Sequence, residues 1–428
     1  MKSISGNSTV KEITPGGLKA SVGCEVEINA CVHKTGRLGG AKLVLLRTGR
    51  YVIQSVCAKD FEGDTITEGA YICARGIVKD EPRAPYGIEI ELKSTKTLSL
   101  PSSEYPLRVS NRVLESTLET NLAHRSVSLR HPLARAVFRI SDSVKHGFEE
   151  YLRNEGFVNV RTPEIIRPTG ERNMLPLRYF DKDAVLSRSP QLYLQMSVGF
   201  FDRVFESAAV FRAEKHNSAR HLCEYEELDL AMGYIRSLED IMQLLTALLR
   251  HIAETVSREC KHETELLGTD LPQITDIPSV TFREALDILG KDSTQADLDP
   301  TDADRLCRYA SEKYGSELIF VTHFPPDKRP FYIKDSTDGF TESFDLLFRG
   351  MKIASGGQNT HSYTELCAKA ERSGINTKAI QPYLDAHKYG LPPHGSASMG
   401  LERFVMKLCG LENIREARLF PRDMHILD

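Results

Sequence analysis

A chain of 428 residues has room for two or three domains and a large buried core, and its 41% hydrophobic and 27% charged residues suit an ordinary globular protein. A formal net charge of −4 gives no sign of a polyanion partner, and residues 1–105 are barely basic, with 14 Lys/Arg against 12 Asp/Glu. No stretch approaches 18 apolar residues and the start, Met1-Lys2-Ser3-Ile4-Ser5-Gly6, has no apolar leader core, so neither membrane spanning nor secretion is expected and the location is read as cytoplasmic. The nine cysteines contain no CxxC pair, which points to reduced thiols rather than a metal site or disulfides.

Residues 20–100 alternate apolar and polar in five short runs, 24–28, 41–46, 51–56, 71–74 and 87–92. Gly39-Gly40, Gly63-Asp64 and Pro82/Pro85 break them, a pattern that suits a small closed β-barrel such as an OB-fold. Pro101-Ser102-Ser103 and Pro106 open a linker, giving expected domains at 1–105 and 131–428 with 106–130 between them. From 132 to 155 the pattern becomes helical, with Val137, Ile140, Val144, Phe148 and Leu152 on one face and Pro132 at the first turn. The run passes through Gly156 into Phe157-Val158-Asn159-Val160-Arg161-Thr162-Pro163. A second helix is expected near 238–258, carrying Ile241, Leu244, Leu245, Leu248 and Ile252. Residues 317–325 and 343–354 read as buried strands.

Two segments carry the chemistry. One is Phe211-Arg212-Ala213-Glu214 with Arg220-His221-Leu222-Cys223-Glu224-Tyr225, and the other is Gly400-Leu401-Glu402-Arg403. Guanidinium forks suit phosphate oxygens and an aromatic ring suits adenine, so together they describe a nucleoside triphosphate site. They resemble motifs 2 and 3 of class II aminoacyl-tRNA synthetases, and the helix, strand and Pro163 resemble motif 1, the dimer interface of that class. Ser189-Pro190-Gln191-Leu192-Tyr193, Phe201-Asp202-Arg203-Val204-Phe205-Glu206, Phe344-Asp345-Leu346, Lys388-Tyr389-Gly390 with Pro392-Pro393-His394, and Leu419-Phe420-Pro421-Arg422 narrow the match. Over nearly its whole length the chain resembles aspartyl-tRNA synthetases of the archaeal/eukaryotic type. The resemblance implies an α+β fold, an antiparallel catalytic sheet with helices after an N-terminal OB-fold barrel, a homodimer, and an ATP-dependent ligase that uses magnesium.

Residue by residue, the resemblance implies that Arg212 clamps the α-phosphate and the substrate carboxylate. Glu214 would read the adenine amino group, Tyr225 would stack on the base, and Arg403 would hold the γ-phosphate beside Gly400, aided by Arg220 or His221. Ser189, Gln191 and Asp229 would surround the substrate's α-ammonium, since a buried cation needs a carboxylate and oriented acceptors. Asp345 would bind magnesium. In the barrel, Leu43 and Gln54 occupy positions that meet the anticodon in the family.

Several positions depart from the family pattern. Leu194 and Asn359 stand where aspartyl enzymes carry a lysine and an arginine for the side-chain carboxylate. Each lost hydrogen bond to a charged group is worth roughly 1.5–3 kcal/mol, so aspartate affinity is expected to fall by orders of magnitude. Lys352 replaces the second magnesium acid, and its charge could itself neutralise phosphate, which adds it to Arg212 and Arg403 as a catalytic candidate. Ser396 and Ser398 replace glycines and are expected to crowd the floor under adenine. The substrate loop is shifted, reading Pro168-Thr169-Gly170-Glu171, with Glu171 as a further ammonium candidate. Leu43 replaces a phenylalanine that stacks on an anticodon base, a contact worth roughly 1–3 kcal/mol.

The leading expectation is therefore a ligase that forms an aminoacyl-adenylate from an amino acid other than aspartate and passes the acyl group to tRNA or a small-molecule acceptor. The alternatives are a genuine aspartate–tRNA ligase and a catalytically silent binding or regulatory protein.

Overall fold

In the computed structural model, residues 13–169, 173–292 and 297–427 are described, and they fall into two compact units that divide between Arg135 and Ala136. In the first, strands β1 (Glu25–Leu38), β2 (Ala41–Arg47), β3 (Val52–Gly63), β4 (Tyr71–Asp80) and β5 (Ile88–Ser99) close into a barrel in the order β1-β2-β3-β5-β4. The expected alternation is the cause: Val26, Ile28, Val44, Leu46, Ile53, Ile72, Val78, Ile90 and Leu92 all point into one apolar core. Gly76 is needed on β4, because a Cβ there would collide with the Glu91 carbonyl of β5.

Helix α1 (Pro132–Asn154) begins at the end of the first unit, and the second holds the rest of it with β6 (Val158–Asn159), α2 (Gln191–Phe201), β7 (Arg203–Phe211), β8 (Glu224–Gly233), α3 (Leu238–Glu259), β9 (Ser279–Thr281), β10 (Leu318–Thr322), β11 (Ser343–Phe348), β12 (Met351–Asn359), α4 (Tyr363–Arg372), α5 (Gln381–Lys388), β13 (His394–Gly400) and α6 (Leu401–Leu408). Its eight-stranded sheet runs β9-β10-β11-β12-β13-β8-β7-β6, antiparallel except at the outer pairs β9/β10 and β6/β7. A small three-stranded sheet (Ile165–Ile166, Leu175–Tyr179, Lys182–Leu186) lies apart.

The apolar stripe of α1 is fully buried, with Val137, Ile140, Val144, Phe148 and Leu152 in one core alongside Ile241, Leu245, Leu248 and Ile252 of α3. Each such side chain removes roughly 1.5–3 kcal/mol worth of apolar surface from water. Gly147 brings the two helices together, since a Cβ there would lie 3.1 Å from the Ile252 Cα. Leu228, Leu230, Phe344, Leu346, Ala397 and Met399 supply the sheet's side of this core. With one face so covered, the alternate residues of the same strands are left to build a polar face. One expectation needs correction: 343–354 is not a single strand. Arg349 (φ 45°) and Gly350 (φ 77°) turn the chain, and two antiparallel strands result. Val44 and Leu46 face the barrel core while Leu43 and Gln54 lie on the outer side of neighbouring strands, where Gln54 donates to Glu89 at 2.7 Å.

Candidate active site

Strand β8 sets out the site. Its residues alternate, so Tyr225, Glu227, Asp229 and Ala231 follow one another along the polar face at about 6.8 Å per pair of residues. Across the sheet, Asp229 lies opposite Glu206 of β7 and Ser398 of β13; Ser398 lies opposite Ser355 of β12, and Ser355 opposite Asp345 of β11. One cross-strand row thus carries three carboxyl groups.

At Asp229, the first turn of α2 reaches down. Gln191 Nε2 donates to Asp229 Oδ1 at 2.7 Å, to the Ala397 carbonyl at 3.2 Å and to Ser398 Oγ at 3.1 Å, while the Ser398 hydroxyl also donates to Asp229 Oδ1. Ser189 Oγ receives the Gln191 backbone N–H at 3.3 Å and so starts the helix in this register. The Gln191 and Asp229 side chains are buried, and Gln191 Oε1 and Asp229 Oδ2 have no hydrogen-bond partner. Two adjacent acceptors left open inside a protein cost free energy unless a donor arrives, which makes this corner fit an ammonium group. Burial pushes the Asp229 carboxyl well above its ordinary pKa, and Glu227 adds to the shift. Such a group takes its charged form most readily when a cation comes to it.

Further along β8 lies a cationic clamp. Arg212, just past β7, sits 5.4 Å from the Tyr225 ring centroid. Arg403 projects from the first turn of α6, next to Gly400, and donates to the Arg220 carbonyl at 3.5 Å. Burial lowers the Arg403 pKa, Tyr225 opposes this, and the like charge of nearby Arg212 lowers it further, a repulsion an anion bound to both would relieve. His221 is held by the Ser218 hydroxyl at 2.6 Å, and burial followed by Arg403 keeps it neutral more readily. Glu214 lies 4.0 Å from the exposed His216. The structure therefore brings Arg212, Tyr225, Arg403 and His221 to one place.

Asp345 is the residue to which the resemblance assigns magnesium. Here one of its oxygens accepts from Arg329 Nη1 at 2.7 Å and the other lies 3.2 Å from Lys352 Nζ. Burial pushes this carboxyl up, but Lys352 and Arg329 outweigh it and hold the pKa below the usual value. Among the described residues, no group of three or more His, Cys, Asp or Glu side chains is placed to hold a metal ion. A single carboxylate already paired with two cations does not fit a protein-held magnesium.

Beyond Asp229 the wall turns apolar and neutral. Leu194 of α2 is fully buried against Val198, Val204 and Ala231. Asn359, also fully buried, donates to Ser396 Oγ at 3.0 Å. Ser396 and Ser398 stand opposite Ala231 and Asp229, not beside Tyr225, so the crowding expected under adenine falls instead at the ammonium end. His394 pairs in register with Asn359, and burial lowers its pKa to about 4. Its ring lies 5.7 Å from that of His387, whose Nδ1 donates to the Tyr383 carbonyl at 2.9 Å, and Tyr383 donates to Gln195 Oε1 at 2.6 Å. Glu171 lies outside the described residues. Sequence reasoning missed Glu227 and Arg329. The first was detectable as an acid two residues before Asp229 on the same strand face; for Arg329, in an irregular proline-rich segment, no periodic signal existed.

An antiparallel sheet carrying an arginine clamp on one face, after a five-stranded barrel, defines a class II aminoacyl-tRNA synthetase. Residues 117–424 match the family tRNA synthetases class II (D, K and N), and the chain belongs to it. Aspartate–tRNA(Asp/Asn) ligase of Thermus thermophilus is 40% identical over 416 residues, covering 96% of this chain and 98% of the relative. The Methanopyrus kandleri protein of the same name is 38% identical over 415 residues, covering 94% and 95%. Among solved structures, asparaginyl-tRNA synthetase from Pyrococcus horikoshii with asparaginyl-adenylate superposes with a TM-score of 0.89 at 26% identity, over 98% of this chain and 99% of that one. Aspartyl-tRNA synthetase from Entamoeba histolytica gives 0.86 at 25% identity, over 99% and 93%.

Proposed function

We propose that the chain activates a neutral amino acid with ATP, forms its adenylate and transfers the acyl group to tRNA. One observation carries the reading. The acceptors for an α-ammonium, Gln191 Oε1 and Asp229 Oδ2, stand open, while the next positions outward, Leu194, Ala231, Ser396 and Asn359, carry no charge. A side-chain carboxylate there would be buried without a counter-ion, at a cost of several kcal/mol. A neutral hydrogen-bonding group meets the Asn359 amide and the Ser396 hydroxyl, which are already paired with each other at 3.0 Å.

In this reading Asp229 and Gln191 fix the ammonium, and Arg212 bridges the substrate carboxylate and the α-phosphate. Attack of a carboxylate oxygen on the α-phosphorus releases pyrophosphate, and Arg212 and Arg403 take up the negative charge that builds on the phosphoryl oxygens. Lys352 adds a third cation beside Asp345. Tyr225 and Glu214 serve the base. Gln54, on the outer side of the barrel, supports tRNA as acceptor, while Leu43 there lacks the ring that would stack on a base. Exposed Leu419 and Phe420 line a cleft of about 480 Å³ with Phe138 of α1, which supports pairing of two copies at this face.

A second reading is a genuine aspartate–tRNA ligase, favoured by the names of the relatives at 38–40% identity. Amino-acid-dependent exchange of pyrophosphate into ATP, run over the standard amino acids, separates the two. A neutral amino acid as best substrate supports the proposal. Aspartate as best substrate refutes it, and silence with every candidate favours a protein that binds without catalysing.

A further inference from the structure

Glu227 has no place in the reading above, yet it lies at the centre of the clamp. Its Oε1 accepts from Arg212 Nη2 at 3.2 Å and from the Tyr225 hydroxyl at 3.0 Å, and the carboxyl is buried. The guanidinium assigned to phosphate is thus already holding an anion of the protein's own. Several elements around Glu227 contribute charge, though Gly400, its partner on β13, carries none. Tyr225 and Asp229 share its strand, Arg212 follows β7, Arg403 begins α6, and Arg188 precedes α2. Glu206 of β7 lies one strand over beside Asp229, and Glu214 and His221 flank the two clamp arginines.

A phosphate arriving at Arg212 changes this balance. Three anions, the phosphate, Glu227 and Asp229, would then share a desolvated strip in which neighbouring positions are about 6.8 Å apart. Burial already biases Glu227 towards its protonated form, with Arg212 the chief opposing influence. Once the phosphate competes for that guanidinium, the opposition weakens. A proton from solvent removes one negative charge and turns Glu227 from an acceptor into a donor.

We infer that Glu227 is an internal counter-ion of the phosphate clamp, holding Arg212 in the nucleotide-free protein and taking up a proton when an α-phosphate displaces it. This rests on the reading of Arg212 as the clamp. ATP affinity then falls as pH rises, because binding consumes a proton.

Calorimetric titration of the full chain with ATP, in buffers of different ionisation enthalpy, tests it. Wild type is expected to take up roughly one proton more per ATP than Glu227→Gln, and the comparison cancels titration of the nucleotide itself. Glu227→Gln is expected to bind ATP about tenfold more tightly at pH 8, with the gap closing towards pH 6. Glu227→Ser, which removes the group without a replacement of equal size, is expected to lose the extra proton as well. Equal proton counts in wild type and both variants, with ATP bound, overturn this inference and leave the clamp reading standing. ATP binding unaffected by Arg212→Ala, or no ATP binding by wild type and Glu227→Gln alike, overturns both.

Discussion

The two ends of strand β8 make an instructive pair. At the Tyr225 end the polar face is crowded with charge: Arg212, Arg403 and Glu227 sit around one ring. At the Ala231 end the same face is dry, with Leu194, Val198 and Val204 packed over it. Asp229 stands between them, with one oxygen engaged and the other open. Both ends obey the same strand geometry and the same antiparallel pairing, so backbone does not distinguish them. What differs is whether the covering segment brings guanidiniums or aliphatic side chains. In the proposed reading, the parts of a substrate common to all amino acids would meet the charged half and the part that varies would meet the apolar half.

The contrast can be broken at either end. The largest effect is expected from Arg212→Ala, which removes the clamp and is expected to reduce ATP–pyrophosphate exchange at least about a thousandfold. Residual exchange within tenfold of wild type would move the clamp elsewhere. Asp229→Asn leaves the shape but removes the charge that faces the ammonium, and a KM for the amino acid about a hundredfold higher is expected, with little change in the KM for ATP. Equal rises in both constants would show that the two ends do not act separately. Leu194→Lys with Asn359→Arg brings charge to the dry end, and selectivity for aspartate over neutral amino acids is expected to rise about tenfold despite lost packing. Unchanged selectivity would place the variable part of the substrate elsewhere.

The smallest effect concerns stability. Burial raises the Glu402 pKa to about 7, against the pull of Arg418, which donates to it at 2.8 Å. The folded state therefore favours the protonated acid. That contribution is complete below the ordinary value near 4.5 and is lost as pH climbs to about 7. Glu402→Gln is expected to flatten this decline, gaining about 1 kcal/mol on wild type between pH 5 and pH 8 once the lost Arg418 contact is discounted. Denaturant midpoints at the two pH values measure it, and parallel shifts would show that Glu402 does not titrate in this window.

Much of this arrangement was legible in the residues. Period-two runs located the barrel strands, and the stripe from Val137 to Leu152 gave α1 almost to its ends, because a single buried face dictates spacing. Gln191 and Asp229, 38 positions apart, could be matched because both stand in ordered words whose neighbours constrain them, and the hydrogen bond between them follows. What escaped depended on direction rather than identity. Leu194 stands at the position the family gives to a lysine, and α2 packs it with Val198 and Val204 over Ala231, a surrounding the pattern did not show. Ser396 and Ser398 were placed under adenine because pattern alone gives no strand register, and register puts them beside Ala231 and Asp229. Arg329 reaches Asp345 from a proline-rich turn whose path no periodicity describes.

Carrying adjacent recognition points on alternate residues of one extended segment also shapes what evolution can do here. A single substitution on β8 swaps one contact and leaves its companions in place, so preferences can drift stepwise. An insertion or deletion of one amino acid would reverse the sidedness of the whole segment, sending Asp229 and Glu227 into the oily interior and Leu228 and Leu230 outward. Length along this stretch is therefore far less negotiable than spelling.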